Sequence, residues 1–283
     1  IEKIIMGLSV LDQSQAFIAA KGLNRSQSMY NKATSQLSTG LRILNAKDDA
    51  AGSQIAAGLN AAISGQNVAL RNIAQSSAML EAANGALSGS DGILNRMKEL
   101  ATQSVNSTNG TADRAALMAE FTQLGEELTS TMAKSSFGDG KLFAGGGKLD
   151  SALTFQTGAG ADDVITLDLS AGVKDLVKTA DTVKALKVDS ASDATAAITA
   201  LDKAIGEYSS MTGALAAGIN RLDYASANLT NMRDGNSAAK DSIVNADAVA
   251  ASTAQSTAML LMNSGIKSLA KNTQMGQMVS QLF

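Results

Sequence analysis

Two widely separated stretches of this 283-residue chain, Leu23 to Met132 and Ala197 to Phe283, carry helical apolar repeats, and no proline interrupts either. Leu201, Tyr208, Leu215, Leu222 and Leu229 recur every seven residues, with Ile198, Ile205 and Ile219 at three- and four-residue offsets. That spacing draws one narrow seam along a helix, the pattern of a coiled coil. Proline costs about 3 kcal/mol inside a helix, so its absence leaves helices far longer than three turns open to this chain. A Gly-rich segment of alternating apolar residues lies between the two stretches. The arrangement points to an assembling rod rather than a catalytic pocket.

Composition agrees with thin helical packing. Apolar residues reach 45%, yet aromatics are only 3%, so buried surface must come from small and aliphatic side chains that let helices approach closely. One compact globule is not expected at this length, and neither is disorder throughout.

The first periodic helix is expected over Leu23 to Ser38, with Leu23, Tyr30 and Leu37 seven apart and Gly40 as its stop. Asp48 and Asp49 then stand where an N-cap and a first-turn acid favour a new helix. From Asp49 to about Val105 an apolar stripe runs through Ile63, Leu70, Ile73, Leu80, Leu87, Leu94 and Met97, for a length of roughly 80 Å at the helical rise. Asn106 to Asp113 (NSTNGTAD) reads as a turn, with Asp113 capping a helix through Leu117, Phe121, Leu124, Leu128 and Met132. So short a turn makes that helix an antiparallel neighbour of the preceding one. Leu153 and Phe155, and Ile165, Leu167 and Leu169, alternate as two strands joined through Gly158 to Asp163. Val173 to Val188 reads as either a short helix or a strand. Ser190 to Asp193 offers caps for a long C-terminal helix, and Asp234, Gly235 and Asn236 mark its expected end before a last helix, Ile243 to Phe283. The fold class is therefore mainly α, a long antiparallel bundle or coiled-coil rod of N- and C-terminal segments with a small insert containing a β-hairpin.

The chain lacks most of the side chains an enzyme needs. It contains no His and no Cys, which excludes triads, zinc-metalloprotease helices and thiol chemistry. Asp48-Asp49 and Asp162-Asp163 are open to two accounts: acid/base or hard-cation pairs, or acids at a cap and a turn. Gly145-Gly146-Gly147-Lys148 fails as a phosphate loop because Leu149 follows the lysine and no glycine occupies position 142. No catalytic, cofactor or metal residue is expected. A net charge of -3 without a Lys/Arg run gives no footprint for nucleic acid or an anionic membrane, and no apolar run approaches the length of a span. Ile1 to Val10 carries Glu2 and no small-residue cleavage site, so if the protein is secreted it needs a route other than a standard cleaved signal. Absence of Cys suits an oxidising exterior. Met259, Met262, Met275 and Met278 form either an adaptable binding stripe or ordinary helix packing.

The string from Leu37 to Gly52 (LSTGLRILNAKDDAAG) resembles the signature near the start of bacterial flagellins. The resemblance continues through Arg96 to Ser104, the NSTNGTAD turn with Arg114, Phe137 to Phe143, Leu222 to Met232 (LDYASANLTNM) and Ile243 to Ala251 (IVNADAVAA). It implies three regions: an inner coiled-coil layer from residues 1–40 with 241–283, a helical-bundle layer from 41–136 with 194–240, and a variable insert, here short, at 137–193. The seam residues of that bundle would then be Ile198, Leu201, Ile205, Tyr208, Leu215, Ile219, Leu222 and Leu229, together with Ile73, Leu80, Leu87 and Leu94. The implied role is a secreted subunit at the cell surface that polymerises with copies of itself into a motile filament. Implied partners are an export chaperone, a filament cap and hook-junction proteins. An innate immune receptor is also implied, at Arg96 and Glu120 with Leu94 nearby. The hook-filament junction protein shares both terminal patterns, but in that family a proline commonly follows the paired aspartates, where Ala50 stands here. A surface protein that captures a polysaccharide is the other alternative, although no Trp and only three Tyr leave few platforms for sugars.

Overall fold

The computed structural model describes the backbone of residues 2–281 and the side chains of residues 14–275, 277 and 278. Expectations at Ile1, Leu282 and Phe283, and for the side chains of residues 1–13, lie outside these. Along the described chain run α1 (Glu2–Thr39), α2 (Ala50–Val105), α3 (Thr111–Lys134), β1 (Ser136–Phe137), β2 (Gly140–Lys141), β3 (Leu153–Gln156), β4 (Val164–Leu167), α4 (Ser170–Lys184), α5 (Ala191–Val244) and α6 (Ala248–Gln281). The fold is mainly α with small hairpins between the two helical stretches.

Local signals set most boundaries. Gly40 ends α1 at φ +72, its amide bonding Gln36 O at 2.8 Å, the left-handed stop that glycine adopts without steric penalty. Asp49 Oδ1 accepts the Gly52 amide at 2.8 Å and starts α2. At α3 the cap is Gly110, and Asp113 acts from the third helical position by accepting the Gly110 amide at 3.0 Å. Ser190 caps α5, its Oγ accepting the Asp193 amide at 3.1 Å. Most of Val173 to Val188 resolves as a helix, α4, which runs from Ser170 to Lys184 and whose first turn is tied by Asp168 Oδ1 to the Ser170 amide at 3.0 Å.

Two expected boundaries move. α1 reaches back to Glu2 rather than starting near Leu23; Phe17 and Ile18 are exposed, so these two stand off the buried face although the backbone stays helical. α5 passes straight through Asp234, Gly235 and Asn236 and ends at Val244. One glycine costs a helix only about 1 kcal/mol, too little to break it. The stop comes instead where Asp247 Oδ1 accepts the amides of Val249 at 2.8 Å and Ala250 at 3.1 Å to open α6.

The chain divides into two compact units, Ile1–Ala61 with Gly235–Phe283, and Ala62–Asp234. In the first, α1 and α6 pair antiparallel: Gln255 Nε2 donates to Thr34 Oγ1 at 3.0 Å, and Gly265 lies against Leu23. Ser26, Ala33, Ala251 and Ala258 are buried between them, small side chains that allow close approach.

The second unit holds the apolar core. Its part of α2 runs antiparallel to α5, with Lys98 bonded to Asp202 at 2.5 Å and Leu80 against Gly218, and antiparallel to α3, where Arg96 meets Glu120 at 2.8 Å. Leu201, Tyr208, Leu215, Leu222 and Leu229 on α5 and Ile73, Leu80, Leu87 and Leu94 on α2 are all buried in one cluster, flanked by half-buried Ile198, Ile205 and Ile219. α4 covers the side of this core. A Cβ on Gly125 would come 3.1 Å from the Lys184 backbone, and the Thr179 hydroxyl donates to Glu207 Oε2 at 2.5 Å. β3 and β4 pair antiparallel with Leu153 opposite Leu167 and Phe155 opposite Ile165, which turns one apolar face of the hairpin to the core and leaves Thr154 and Thr166 on the other. The β1–β2 hairpin turns at Gly138, φ +62. Leu142, Phe143 and Leu149 from the loops around it are buried in the same cluster, so the insert is part of this core.

Two substitutions test the seam. Leu215 is fully buried, and Leu215→Asp strands a charge there, an expected loss of about 4 kcal/mol or more; near-native thermal melting would show the seam to be misplaced. Tyr208 is equally buried, and its hydroxyl has no hydrogen-bond partner in the protein. Burial, assisted by the charge of Glu207, pushes its ionisation above the usual tyrosine range. Removing that hydroxyl in Tyr208→Phe relieves a desolvation penalty of about 1–3 kcal/mol, so the variant should melt no lower than the parent.

Candidate interaction surface

The Leu37–Gly52 string folds into a corner between α1 and α2 that closes on the end of α5. The Arg42 amide donates to Val244 O at 2.7 Å, and its guanidinium reaches Ile243 O through Nε at 3.1 Å and Nη2 at 2.7 Å. Leu41 bridges Asn245, and the Ala246 amide returns to Gly40 O at 2.8 Å. A cation thus satisfies carbonyls that every helix leaves free at its C-terminus, where the macrodipole also favours positive charge. Arg114 plays the same part for α2, its Nε donating to Ser104 O at 3.0 Å and Nη2 to Asn106 O at 3.2 Å.

The paired acids are absorbed by this corner. Asp48 Oδ2 accepts the Asn45 amide at 3.1 Å and the Leu44 amide at 3.3 Å, and Oδ1 faces Lys32 Nζ at 3.3 Å. Desolvation pushes its carboxyl up, but Lys32 and the two amides outweigh it and hold the group below the usual aspartate range. Asp49 caps α2, and a Cβ on Gly52 would come 2.6 Å from Asp49 Oδ2 and 2.8 Å from Ile43 Cδ1, so any larger residue must displace the capping carboxylate and the Ile43 tip. Asp163 closes the β3–β4 turn by accepting the Gly160 amide at 2.8 Å. In the Gly145–Lys148 run, Gly146 at φ +77 donates its amide to Asp150 Oδ2 at 3.0 Å, the geometry of a turn. Among the described residues no group of three or more His, Cys, Asp or Glu could hold a metal ion. An open hollow of about 600 Å³ beside α2 is lined by groups such as Asn95, Gln103 and Asn109.

The distinctive surface is apolar and lies on the α1–α6 pair. Phe17, Ile18, Val249 and Leu260 are each more than two-thirds exposed, and Leu261 and Ile266 join them. The methionines separate by role. Met262 is half-buried, in heptad register with Gln255 and Leu269 on the α6 face that meets α1. Met259, Met275 and Met278 are each more than half exposed. Met259 and Met275 stand about 160° apart around an ideal helix, so the four form no single stripe. Sequence periodicity passes over Phe17-Ile18 and Leu260-Leu261 because it seeks one seam, and both residues of each pair stand exposed off that seam.

On the second unit, Arg96 and Glu120 are half exposed and paired across α2 and α3, with Glu99 completing the cluster at 3.0 Å from Arg96. Hydrogen bonds to Glu120 and then Glu99 hold the guanidinium above its ordinary pKa. Leu94 is fully buried in the core and offers no surface beside them.

Residues 10–148 match the family described as the bacterial flagellin N-terminal helical region, and residues 198–283 the bacterial flagellin C-terminal helical region. A flagellin from Halalkalibacterium halodurans is 36% identical over 269 residues, 93% of this chain and 94% of that protein. The B-type flagellin of Pseudomonas aeruginosa is 40% identical over 164 residues, covering 58% of this chain but only 33% of the relative. A putative flagellar hook-associated protein from Vibrio parahaemolyticus has a similar fold, with a TM-score of 0.56 at 13% identity over 70% of this chain and all of its own.

The corner makes a pH prediction. A carboxyl depressed in the folded state contributes stability above the unfolded pKa, near 4, and loses it as pH falls through the lower folded value. Wild type should therefore melt above Asp48→Asn by a constant margin from neutral pH down to about 4, and the margin should shrink below that. A margin that persists unchanged into strong acid would show that the Asp48 charge contributes nothing.

Proposed function

The chain belongs to the bacterial flagellin family, and on that footing we propose that its α1–α6 pair carries the contacts through which copies of it pack into a filament. It is a structural subunit of the flagellar filament. The observation supporting this use of α1 and α6 is their double apolar character. One set of positions, including Ala33, Ala251 and Ala258, is buried between the two helices, while Phe17, Ile18, Val249, Leu260 and Ile266 remain exposed. A helix pair in water gains nothing from a second apolar surface unless another chain covers it. Repetition of one such contact, with a rotation that does not close, generates a helical filament.

In this reading residues 1–40 and 241–283 form the inner layer, residues 41–136 and 194–240 the bundle layer, and residues 137–193 the displayed insert. The seam from Ile198 to Leu229 holds the bundle layer together within one subunit, and Met259, Met275 and Met278 belong to the contact between subunits. The subunit is secreted and works outside the cell, and its role is mechanical rather than catalytic. No helix among the described residues is long and apolar enough to cross a membrane. Exposed apolar helices need cover before assembly, which gives an export chaperone its target, and the filament's ends present the same surfaces to cap and hook-junction proteins. Arg96 and Glu120, reaching solvent together, are the positions for an innate immune receptor on the bundle layer.

Removal of residues 264–283 tests the assignment. The truncated chain should keep the cooperative melting of the bundle, because Leu201 to Leu229 and their partners remain, yet fail to elongate filament seeds under conditions in which the full chain does. Normal filaments from the truncation would overturn the role of α6, and immunogold label spread over the cell envelope rather than along filaments would favour a surface-binding protein.

A further inference from the structure

The chain has no Cys and no Trp, so the thioethers of its 12 methionines are the side chains most open to two-electron oxidants such as hydroperoxides. Burial separates them. Met79, Met97, Met132 and Met211 lie in the core of the second unit, none more than 7% exposed, and the Met118 sulfur accepts the Val188 amide at 3.3 Å. Met259, Met275 and Met278 stand in solvent on α6.

We infer that Met259, Met275 and Met278 are sites of peroxide oxidation, and that their conversion to sulfoxide withdraws the free subunit from assembly. This rests on the filament reading above. The sulfur lone pair attacks one oxygen of hydrogen peroxide; the S–O bond forms as the O–O bond breaks, and the proton on the transferred oxygen passes to the departing hydroxide to give water. Sulfur is oxidised by two electrons and the peroxide reduced by two. The product exchanges a flexible apolar tip for a polar acceptor, which an apolar contact between copies cannot satisfy. Folding of the subunit is spared, because the exposed thioethers take no part in the α1–α6 seam and the core methionines are shielded. Packing between copies would itself cover the three sites, so the sensitivity belongs to the unassembled chain.

The experiment treats the full-length subunit with dilute hydrogen peroxide, maps oxygen gain by peptide mass spectrometry, and then measures elongation of filament seeds. Oxidation is expected at Met259, Met275 and Met278 well before Met79, Met97, Met132 or Met211. Helical circular dichroism should be unchanged, elongation should fall at least about tenfold, and methionine sulfoxide reductase should restore it. A triple variant, M259L/M275L/M278L, keeps side-chain volume, should polymerise untreated and should resist peroxide, although exposed Met29 and Met232 remain oxidisable. Full oxidation of the three sites with undiminished elongation overturns the inference, as does undiminished peroxide sensitivity in the variant. If the untreated chain never elongates seeds, the filament reading fails, and the assignment of the sites is then decided by the map alone: no preference for these three over the core methionines overturns it.

Discussion

The folded core depends on the packing of α2 against α5, two segments far apart in sequence, with α3, both hairpins and α4 between them. Bringing them together costs loop-closure entropy before any contact forms, and what repays it is a continuous apolar seam: Leu80, Leu87 and Leu94 against the face that carries Leu201, Leu215 and Leu222. α3, α4 and both hairpins then add to a surface that this pairing has created. Gly218 shows how close the fit is. A Cβ there would come 2.8 Å from Leu167 and 3.4 Å from Leu80, so β4 and α2 both lean on a point where α5 has no side chain.

At the other unit the same problem is solved with polar groups. The corner from Gly40 to Asp49 contains few buried side chains, Ile43 among them, and it is held by hydrogen bonds to helix ends. Arg42 answers the carbonyls of α5, Asp49 the amides of α2, and Asp48 the amides of the corner itself. These explain why Gly40, Arg42, the two aspartates and Gly52 occur together in one string: each fills a position that a helix terminus or a close approach requires. Both aspartates are engaged by amides of the corner and the start of α2, an arrangement that residue type alone had left open.

Burial also divides the two helical stretches by purpose. In the bundle the apolar stripe is covered within the chain. Along α1 and α6 the fully buried positions are alanine and serine, with Leu23 and Met262 half-buried beside them, while several other large apolar side chains point outward. A helix pair that leaves large apolar side chains outside is incomplete as a monomer, and this is the physical content of its role as a subunit.

Much of this was legible in the sequence. Seven-residue spacing identified the α2 and α5 seam, alternation at Leu153 to Phe155 and Ile165 to Leu167 identified β3 and β4, and Ser190, Gly40 and Asp49 marked helix ends, because these signals are local and repeat with the period of the backbone. The same local reading mistook Gly235 for a helix end, left α4 undecided and did not separate Met262 from its neighbours. Those outcomes depend on what lies opposite: α5 runs on through one weak residue, α4 is helical because Val173, Leu176, Ala180 and Val183 are buried in the core, and Met262 differs from Met259 only in facing α1. Periodicity in the sequence therefore determined which faces are apolar. Only the tertiary structure decided which of them are covered within the chain and which remain for another copy, since coverage is a property of the neighbour and not of the helix.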